Sequence, residues 1–400
     1  MPIFLTFYLV CVAIAIGNLL LTAILLVTLR QAGDSIANRI LAGLLLCLGA
    51  SFGSDWLGAT DFFNRYPHVF EYDALLSLSI GPMLYFYIRL QTRPDQRLGA
   101  MDGLHVIPLL VYGVLLSDFL LSDAASKRTA ITHAEGIPNY ILAQYLKKGL
   151  MLSYGLACYR LLRRHNRVVE DVLSSPDNQR LTWIRHLLIA VGMLFAVWVA
   201  SNEVSTQYVN VELLGVTLLG FSYWIAYQSL QQEPVFDRVA TQDVLPIFEQ
   251  EPDVRYRNST LTPAAIDTSR QQIERHMAQA KPYLNPTLTL TNLADQLGMN
   301  PNHLSQVLNE GFGENFYRFI NRYRIEESKR LLVDPAFAHY SILGIAGEAG
   351  FGAKSTFNKS FRELVGLSPS VFARQHGPAQ PAIVPSPNEV KGGTEPSISN

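Results

Sequence analysis

The sequence predicts an all-α protein, a seven-helix transmembrane bundle followed by a cytoplasmic tandem helix-turn-helix domain. Three observations lead to this prediction. Apolar segments of membrane-spanning length recur up to residue 230, a polar and proline-containing stretch follows, and two similar helix-turn-helix patterns come after it. The expected domains are a transmembrane domain at 1–230, a connector at 231–262, a helical domain at 263–376 and a disordered tail at 377–400.

Composition supports a membrane protein without indicating a cofactor. Hydrophobic residues make up 49% of the 400 residues, and the excess lies before residue 230. Lys and Arg number 32 against 33 Asp and Glu, so no overall basic field indicates nucleic acid. Cys11, Cys47 and Cys158 lie in apolar runs without metal-ligand spacing, and neither a metal nor a cofactor is expected.

The spans are expected where about 20 mostly apolar residues occur together. They are 3–28, 38–58, 73–91, 104–122, 139–161, 183–202 and 211–230. Arginine is concentrated in loops one, three and five, whereas loops two, four and six carry only Arg65, Lys127 and Arg128. The positive-inside tendency therefore places the N-terminus outside and everything after residue 230 in the cytoplasm. The long first apolar run, without a basic leader, predicts a retained span rather than a signal peptide.

Charged side chains within the spans are candidates for a signal or ligand site. Asp55 lies toward the outer end of span two, and Lys147 and Lys148 lie in the outer half of span five. Because charge is costly in hydrocarbon, such residues indicate function, either as a buried pair or as an outward-facing pocket for an anionic ligand. The alternative is packing or snorkelling near the span ends.

Two catalytic patterns are disfavoured. Residues 49–53 match G-x-S-x-G, but that motif requires a strand-to-helix turn, and Ser51 lies in the middle of a predicted span. A serine protease using Ser51 and His186 is therefore not expected. The seventh span contains no lysine for a retinal Schiff base. We expect no enzymatic reaction.

The first helix-turn-helix unit is predicted from residues 290–310. Leu293, Ala294 and Leu297 face inward, Gly298 forms the turn, and Asn300 caps a helix that begins at Pro301. The core side of that helix carries Leu304, Val307 and Leu308. Its outward side carries short polar groups suited to base edges in a major groove, namely Asn302, His303, Ser305 and Gln306.

The second unit is predicted from residues 341–366. Ile342, Ile345 and Ala346 face inward, the turn falls at residues 350–352, and the next helix buries Phe357, Phe361 and Leu364. The outward face is basic, as phosphate contact requires. Its residues are Lys354, Ser355, Asn358, Lys359 and Arg362.

A helix between the two units is expected to bury its aromatic residues and to expose Arg318, Arg322, Arg324, Lys329 and Arg330. About 18 residues would give a rod of roughly 27 Å. Successive major-groove faces repeat about every 34 Å, so this rod could hold two reading helices on one side of a duplex. The alternative is a helical protein-interaction domain.

Segment 272–376 resembles the AraC/XylS-type DNA-binding domain. The resemblance depends mainly on Gly350-Phe351, Phe357, Phe361, Gly366 and Ser368-Pro369 followed by Phe372. It implies that double-stranded DNA is the partner and that the outward positions of both second helices read bases. Ala373 precedes Arg374, where the family usually has arginine directly, and the first unit is less basic than the family pattern.

The whole architecture resembles membrane-tethered members of this family. It implies a one-component transcriptional regulator in the bacterial cytoplasmic membrane, with a small-molecule or envelope signal, RNA polymerase and a second copy of the chain as candidate partners. The first alternative is a membrane enzyme or transporter with a regulatory tail. In the second, the bundle is a passive anchor.

Overall fold

The computed structural model describes residues 3–28, 35–58, 60, 62–92, 99–132, 138–174, 182–203, 211–230 and 261–377. In these ranges the chain is helical, with one isolated antiparallel bridge between Leu173 and Thr289. The chain divides into two compact units, Met1–Val169 with Asn178–Glu249, and Glu170–Asp177 with Gln250–Asn400. The connector expected before residue 261 and the tail expected after residue 377 lie outside the described residues.

The described residues of the first compact unit form eleven α-helices, one of which extends beyond the unit. Their bounds are α1 Ile3–Thr28, α2 Ser35–Gly58, α3 Phe62–Arg65, α4 Tyr72–Leu78, α5 Ile80–Thr92, α6 Ile107–Leu115, α7 Ser117–Leu120, α8 Ala124–Thr132, α9 Tyr140–Val172, α10 Thr182–Glu203 and α11 Val211–Leu230. Short 3-10 turns cover Pro67–Val69 and Ala100–Val106. The last residues of α9, from Glu170, belong to the second unit.

Helix α1 is apolar on both its buried and its exposed side. It packs against α2 and α11, where Leu19, Leu41 and Leu218 are fully buried. Its other side exposes large apolar residues such as Leu21 and Ile24. A helix that is hydrophobic all round suits a lipid environment, because in water its outer side would expose apolar side chains to the solvent.

Seven spans were expected, and the structure corrects this number. Among the described residues, three helices are long and apolar enough to cross a membrane: Thr6–Thr28, Ile36–Gly58 and Thr182–Ser201. The expected span 73–91 is interrupted at Ser79 between α4 and α5, and 104–122 is divided among a 3-10 turn, α6 and α7.

The other two expected spans form continuous helices that are not among these three. Residues 139–161 lie within the 33-residue helix α9, which includes Lys147 and Lys148. Residues 211–230 coincide with α11. Total apolar content therefore overstated the number of spans, because it did not register helix breaks or charge within a helix.

In the second compact unit, the described residues 261–377 form seven α-helices: α12 Pro263–Ala280, α13 Leu290–Leu297, α14 Pro301–Gln306, α15 Phe316–Val333, α16 Ile342–Glu348, α17 Lys354–Val365 and α18 Pro369–His376. Most begin at a capping side chain that accepts a backbone N–H. These caps are Thr262, Thr289, Asn300, Asn315, Ser341 and Ser368. Each cap is worth about 1 kcal/mol, so local sequence fixes where these helices start.

Two helix-turn-helix units, α13–α14 and α16–α17, are joined by α15. The second helix-turn-helix, α16–α17, is built on an aromatic row. In this row Phe351, Phe357, Phe361 and Phe372 contact one another in sequence, with ring centroids 5.1 to 5.6 Å apart. Leu364 was expected in this core and is 51% exposed. Val365 packs there instead, because it continues the four-residue spacing from Phe357 and Phe361.

Gly350 forms the turn of the second helix-turn-helix. The backbone of Tyr283 and Leu284, just before the first helix-turn-helix, comes very close to it. Its φ is +89°, and a Cβ atom there would contact Tyr283 O and lie 2.8 Å from Leu284 Cα. Gly298, in the first turn, has a φ of +65° with nothing within 4 Å of the corresponding position. Only Gly350 therefore combines a left-handed backbone with close backbone packing.

We expect Gly350→Ala to lower the free energy of unfolding of the second helix-turn-helix by more than about 2 kcal/mol. The substitution adds a clash with backbone atoms to a backbone strain of roughly 1–2 kcal/mol. The matched variant Gly298→Ala should cost about 1 kcal/mol from conformation alone. Hydrogen exchange of α16 and α17 amides in the full chain measures both. Equal costs would contradict the close approach.

Candidate nucleic-acid interface

Helix α17 presents a basic side that is open to solvent. Thr356, Phe357, Ser360 and Phe361 are buried and fix the rotation of the helix about its axis. The opposite side exposes all the residues expected there, Lys354, Ser355, Asn358, Lys359 and Arg362. Because aromatic packing holds one side, the other is presented in a defined direction.

Positive charge on α17 is less neutralised than that on α15. Helix α15 pairs Arg322 with Glu314 at 3.0 Å, Lys329 with Glu326 at 2.9 Å and Arg330 with Glu327 at 2.8 Å. On α17, Lys359 approaches Glu363 at 3.9 Å. Such exposed pairs contribute little stability, but each acid lowers the local potential that an anion would meet. The basic face of α17 is therefore better suited to phosphate than the surface of α15.

Helix α14 of the first unit is short and continues into a π-helical turn at Val307–Phe312. The Asn300 side chain accepts the backbone N–H of Asn302 at 2.9 Å, and Leu304 is fully buried. Asn302 and His303 are partly exposed. His303 Nε2 lies 3.3 Å from Ser269 Oγ, so α12 positions this imidazole.

Ser305 and Gln306 were expected on an open face, and in this the prediction is wrong. Their exposed fractions are 4% and 6%. The Gln306 amide donates to Glu310 Oε1 at 3.0 Å. Periodicity identifies the helix side that faces its own core, but it does not predict the exposure of the other side. Either residue must become exposed before it can contact a base.

Arg324 was expected on the surface of α15 and is completely buried. Its Nε donates to Tyr283 O at 2.7 Å, and Nη2 donates to Asn285 O at 2.8 Å and Ser174 Oγ at 2.9 Å. Burial lowers the pKa of Arg324 to about 9, which still leaves the guanidinium charged at neutral pH. Hydrogen bonds of this kind contribute about 1.5–3 kcal/mol each.

A separate cavity of about 120 Å³ lies in the amino-terminal compact unit, Met1–Val169 with Asn178–Glu249. Asp55 and Lys147 both line it, together with Ser51, Tyr154 and Trp198. Lys147 Nζ lies 5.1 Å from the Trp198 ring centroid. Lys148 is not part of this lining and lies over the Tyr145 ring. Two of the three expected signal residues are therefore brought together.

Two aromatic residues of this cavity were missed in the sequence. The Tyr154 hydroxyl lies 2.6 Å from His105 Nδ1, and Gly81 packs so closely that a Cβ would be 2.8 Å from Tyr154 Cδ2. Trp198 supplies the ring beneath Lys147. Aromatic residues inside apolar helices are common, so only their proximity to Asp55 and Lys147 distinguishes them.

In a comparison with known protein families, residues 293–375 match a family described as a helix-turn-helix domain. An HTH-type transcriptional regulator from Mycobacterium tuberculosis is 33% identical over 82 residues, covering 20% of this chain and 30% of that protein. An HTH-type transcriptional regulator from Staphylococcus aureus is 29% identical over 101 residues, covering 25% and 13%. The matches thus span less than a third of these relatives.

Among solved structures, the C-terminal domain of AraT, a response regulator from Geobacillus stearothermophilus, is 25% identical and covers 30% of this chain and 93% of its own, with a TM-score of 0.24. The helix-turn-helix match includes α14, α15 and α17. The carboxy-terminal unit contains an AraC-type helix-turn-helix domain.

The AraC-type domain contributes residues of two kinds. Lys354, Lys359 and Arg362 supply exposed positive charge, the kind of group that contacts phosphate in protein–DNA complexes largely independently of sequence. Ser355 and Asn358 supply short polar groups beside them, which suit contact with base edges. Helix α17 therefore combines both requirements of a reading helix on a single face.

We expect Lys359→Ala to weaken DNA binding across all sequences and to reduce the salt slope of binding by about one unit, since one phosphate contact is lost. The matched variant Glu363→Gln removes the neighbouring acid and should leave the slope intact or strengthen binding. Fluorescence anisotropy at several salt concentrations measures both. An unchanged slope in Lys359→Ala would contradict the placement of α17 against phosphate.

Proposed function

We propose that this protein is a membrane-bound one-component transcriptional regulator whose AraC-type domain binds specific promoter DNA. The observation that carries the proposal is the exposed basic face of α17 within that domain. Transcription regulators among the relatives share the same segment. No chemical reaction is assigned to the chain.

Two helices of the AraC-type domain are proposed to read the duplex. Helix α17 supplies Lys354, Ser355, Asn358, Lys359 and Arg362. Helix α14 supplies Asn302 and His303, with Ser305 and Gln306 joining once they are exposed. We assign Ser355 and Asn358 to base recognition, because they are short and uncharged, and the cations Lys354, Lys359 and Arg362 to phosphate contact.

The membrane domain is proposed to hold the DNA-binding domain on the cytoplasmic side. The three apolar helices support membrane association. Promoter DNA lies in the cytoplasm of a bacterium, so the proposed orientation is required for the function. A second copy of the chain and RNA polymerase are the protein partners we propose.

The cavity in the first unit is proposed to take the signal. Lys147 provides a positive group, Trp198 and Phe52 provide apolar walls, and Asp55 adds an acid at the same cavity. Together these groups suit a small amphipathic molecule that carries a carboxylate and an apolar body. Because Lys147 lines the cavity, the carboxylate is the feature of the ligand to which we commit.

We expect Lys147→Gln to shift the signal dependence of promoter output at least about tenfold, because it removes the cation of the cavity. Lys148→Gln is the matched control, since Lys148 lies outside the lining and should leave the response unchanged. A promoter reporter read across growth conditions measures both, with membrane abundance checked by immunoblotting. Equal responses in the two variants would exclude this cavity.

The alternative is a membrane enzyme or transporter with a regulatory helical tail. A chain ending at residue 235 retains the whole activity in that case and none of the promoter binding in ours. Mapping of occupied genomic sites by the full chain in its own cells tests our proposal directly. We expect a small set of promoter sites that disappears in Asn358→Ala with Lys359→Ala. Occupancy without any preferred sequence would contradict specific regulation.

A further inference from the structure

Residues Glu170–Ser174 form a short segment that is built into the carboxy-terminal compact unit, although residues 178–249 separate the two parts of that unit along the chain. Leu173 and Thr289 form an antiparallel bridge. The Ser174 backbone N–H donates to Leu288 O at 3.4 Å, and its hydroxyl donates to the same oxygen at 2.7 Å. We call Glu170–Ser174 the docking segment.

The last three residues of the docking segment are buried. Leu173 is 6% exposed, and Ser174 is fully buried. Arg324 donates from Nη1 to Ser174 O at 3.1 Å and from Nη2 to Ser174 Oγ at 2.9 Å. A buried guanidinium needs oxygen partners on several sides, and the docking segment supplies two of them.

The position occupied by the docking segment lies where both helix-turn-helix units meet. Arg324 also binds Tyr283 O and Asn285 O, just before the first unit, and lies 5.8 Å from the Phe351 ring centroid in the turn of the second. The loop at Tyr283 and Leu284 contacts Gly350 of that turn. A change at Ser174 therefore acts on a junction that touches both reading units.

We propose that the docking segment is an intramolecular binding element that controls the DNA-binding domain. When docked, it completes the Arg324 cluster and holds α14 and α17 in the relation that DNA requires. When it withdraws, Arg324 loses two acceptors and the junction loosens. This inference rests on the proposed function as a DNA-binding regulator, and it names the route of control.

Chain connectivity makes the docking segment a suitable route for a signal. It continues directly from α9, the helix that carries Lys147. A rotation or axial shift of α9 must therefore be absorbed within a few residues or be passed on to Ser174. This connection is separate from the connector at 231–262, and a signal can reach the AraC-type domain without it.

Cysteine cross-linking of the full chain in lipid nanodiscs tests whether the segment docks. In the bridge, the Ser174 N–H bonds one residue beyond Leu173, so Leu173 and Thr289 form a non-hydrogen-bonded pair with Cα atoms about 4.5 Å apart, close enough for a disulfide. We expect Leu173→Cys with Thr289→Cys to cross-link rapidly. Leu173→Cys with Thr287→Cys, out of register by two residues, should react much more slowly.

Single-cysteine variants control for Cys11, Cys47 and Cys158 and for loss of the Thr289 cap. If the two cysteine pairs react at the same rate, the segment is not docked and the proposal fails. This measurement does not involve DNA, so its result is independent of the proposed function.

Operator affinity of the full chain in nanodiscs tests the control itself. Leu173→Asp places a carboxylate in the buried site and should weaken binding about tenfold, whereas Leu173→Met keeps an apolar group of similar size and should bind as wild type does. Ser174→Ala is a milder change that removes only the hydroxyl, and it should weaken binding about threefold, which keeps the test decisive if Leu173→Asp does not fold.

The outcomes separate the two ideas. Efficient cross-linking with unchanged affinity in Ser174→Ala and Leu173→Asp would mean that docking is only structural, and the inferred control would be overturned. Absence of any operator binding by the wild-type chain would instead overturn the proposed function, while the cross-linking result would still stand.

Discussion

The buried guanidinium of Arg324 is the interaction on which the DNA-binding unit depends. It binds backbone oxygens on the loop before the first helix-turn-helix and lies against the turn of the second. A charge removed from water is tolerated only where polar partners surround it, and leaving such a charge unpartnered typically costs about 3–5 kcal/mol. The cluster thus fixes the approach of the two units at a point that none of their outward residues occupies.

In this arrangement the residues that stabilise the fold are different from the residues that we propose to contact DNA. Aromatic packing and the Arg324 cluster set the direction of α17, and they do so without using any residue on its exposed side. The outward residues are therefore free to suit an operator, because they carry no part of the core. In the first unit the separation is less complete, since Ser305 and Gln306 are buried and His303 is held by Ser269.

Sequence patterns predicted the second unit better than the first, for a physical reason. In α17, turn and aromatic spacing agree, and the outward residues are exposed as expected. Leu364, however, is exposed where burial was expected, and Val365 packs in the core in its place. Arg324 could not be placed from periodicity, because its burial depends on backbone oxygens from residues far away along the chain. The docking segment was missed for the same reason. Leu173 and Ser174 contact residues 288 and 289, which lie more than 100 residues away along the chain, and local sequence pattern does not predict such a contact.

The membrane domain was predicted less accurately. Hydrophobic content suggested seven spans, yet the expected spans 73–91 and 104–122 are broken, and three helices among the described residues meet the length and composition of a span. Asp55 and Lys147, in contrast, were singled out by the cost of charge in an apolar helix, and both line one cavity. Individual charged residues were thus more informative than average hydropathy.

Hydroxyl-radical footprinting of an occupied promoter by the full chain in nanodiscs tests the central claim most directly, namely that two helices of one domain grip one side of a duplex. With α15 about 27 Å long between them, the account predicts two protected windows on one face, about one helical turn or 10 base pairs apart. A single window, or windows on opposite faces, would contradict it.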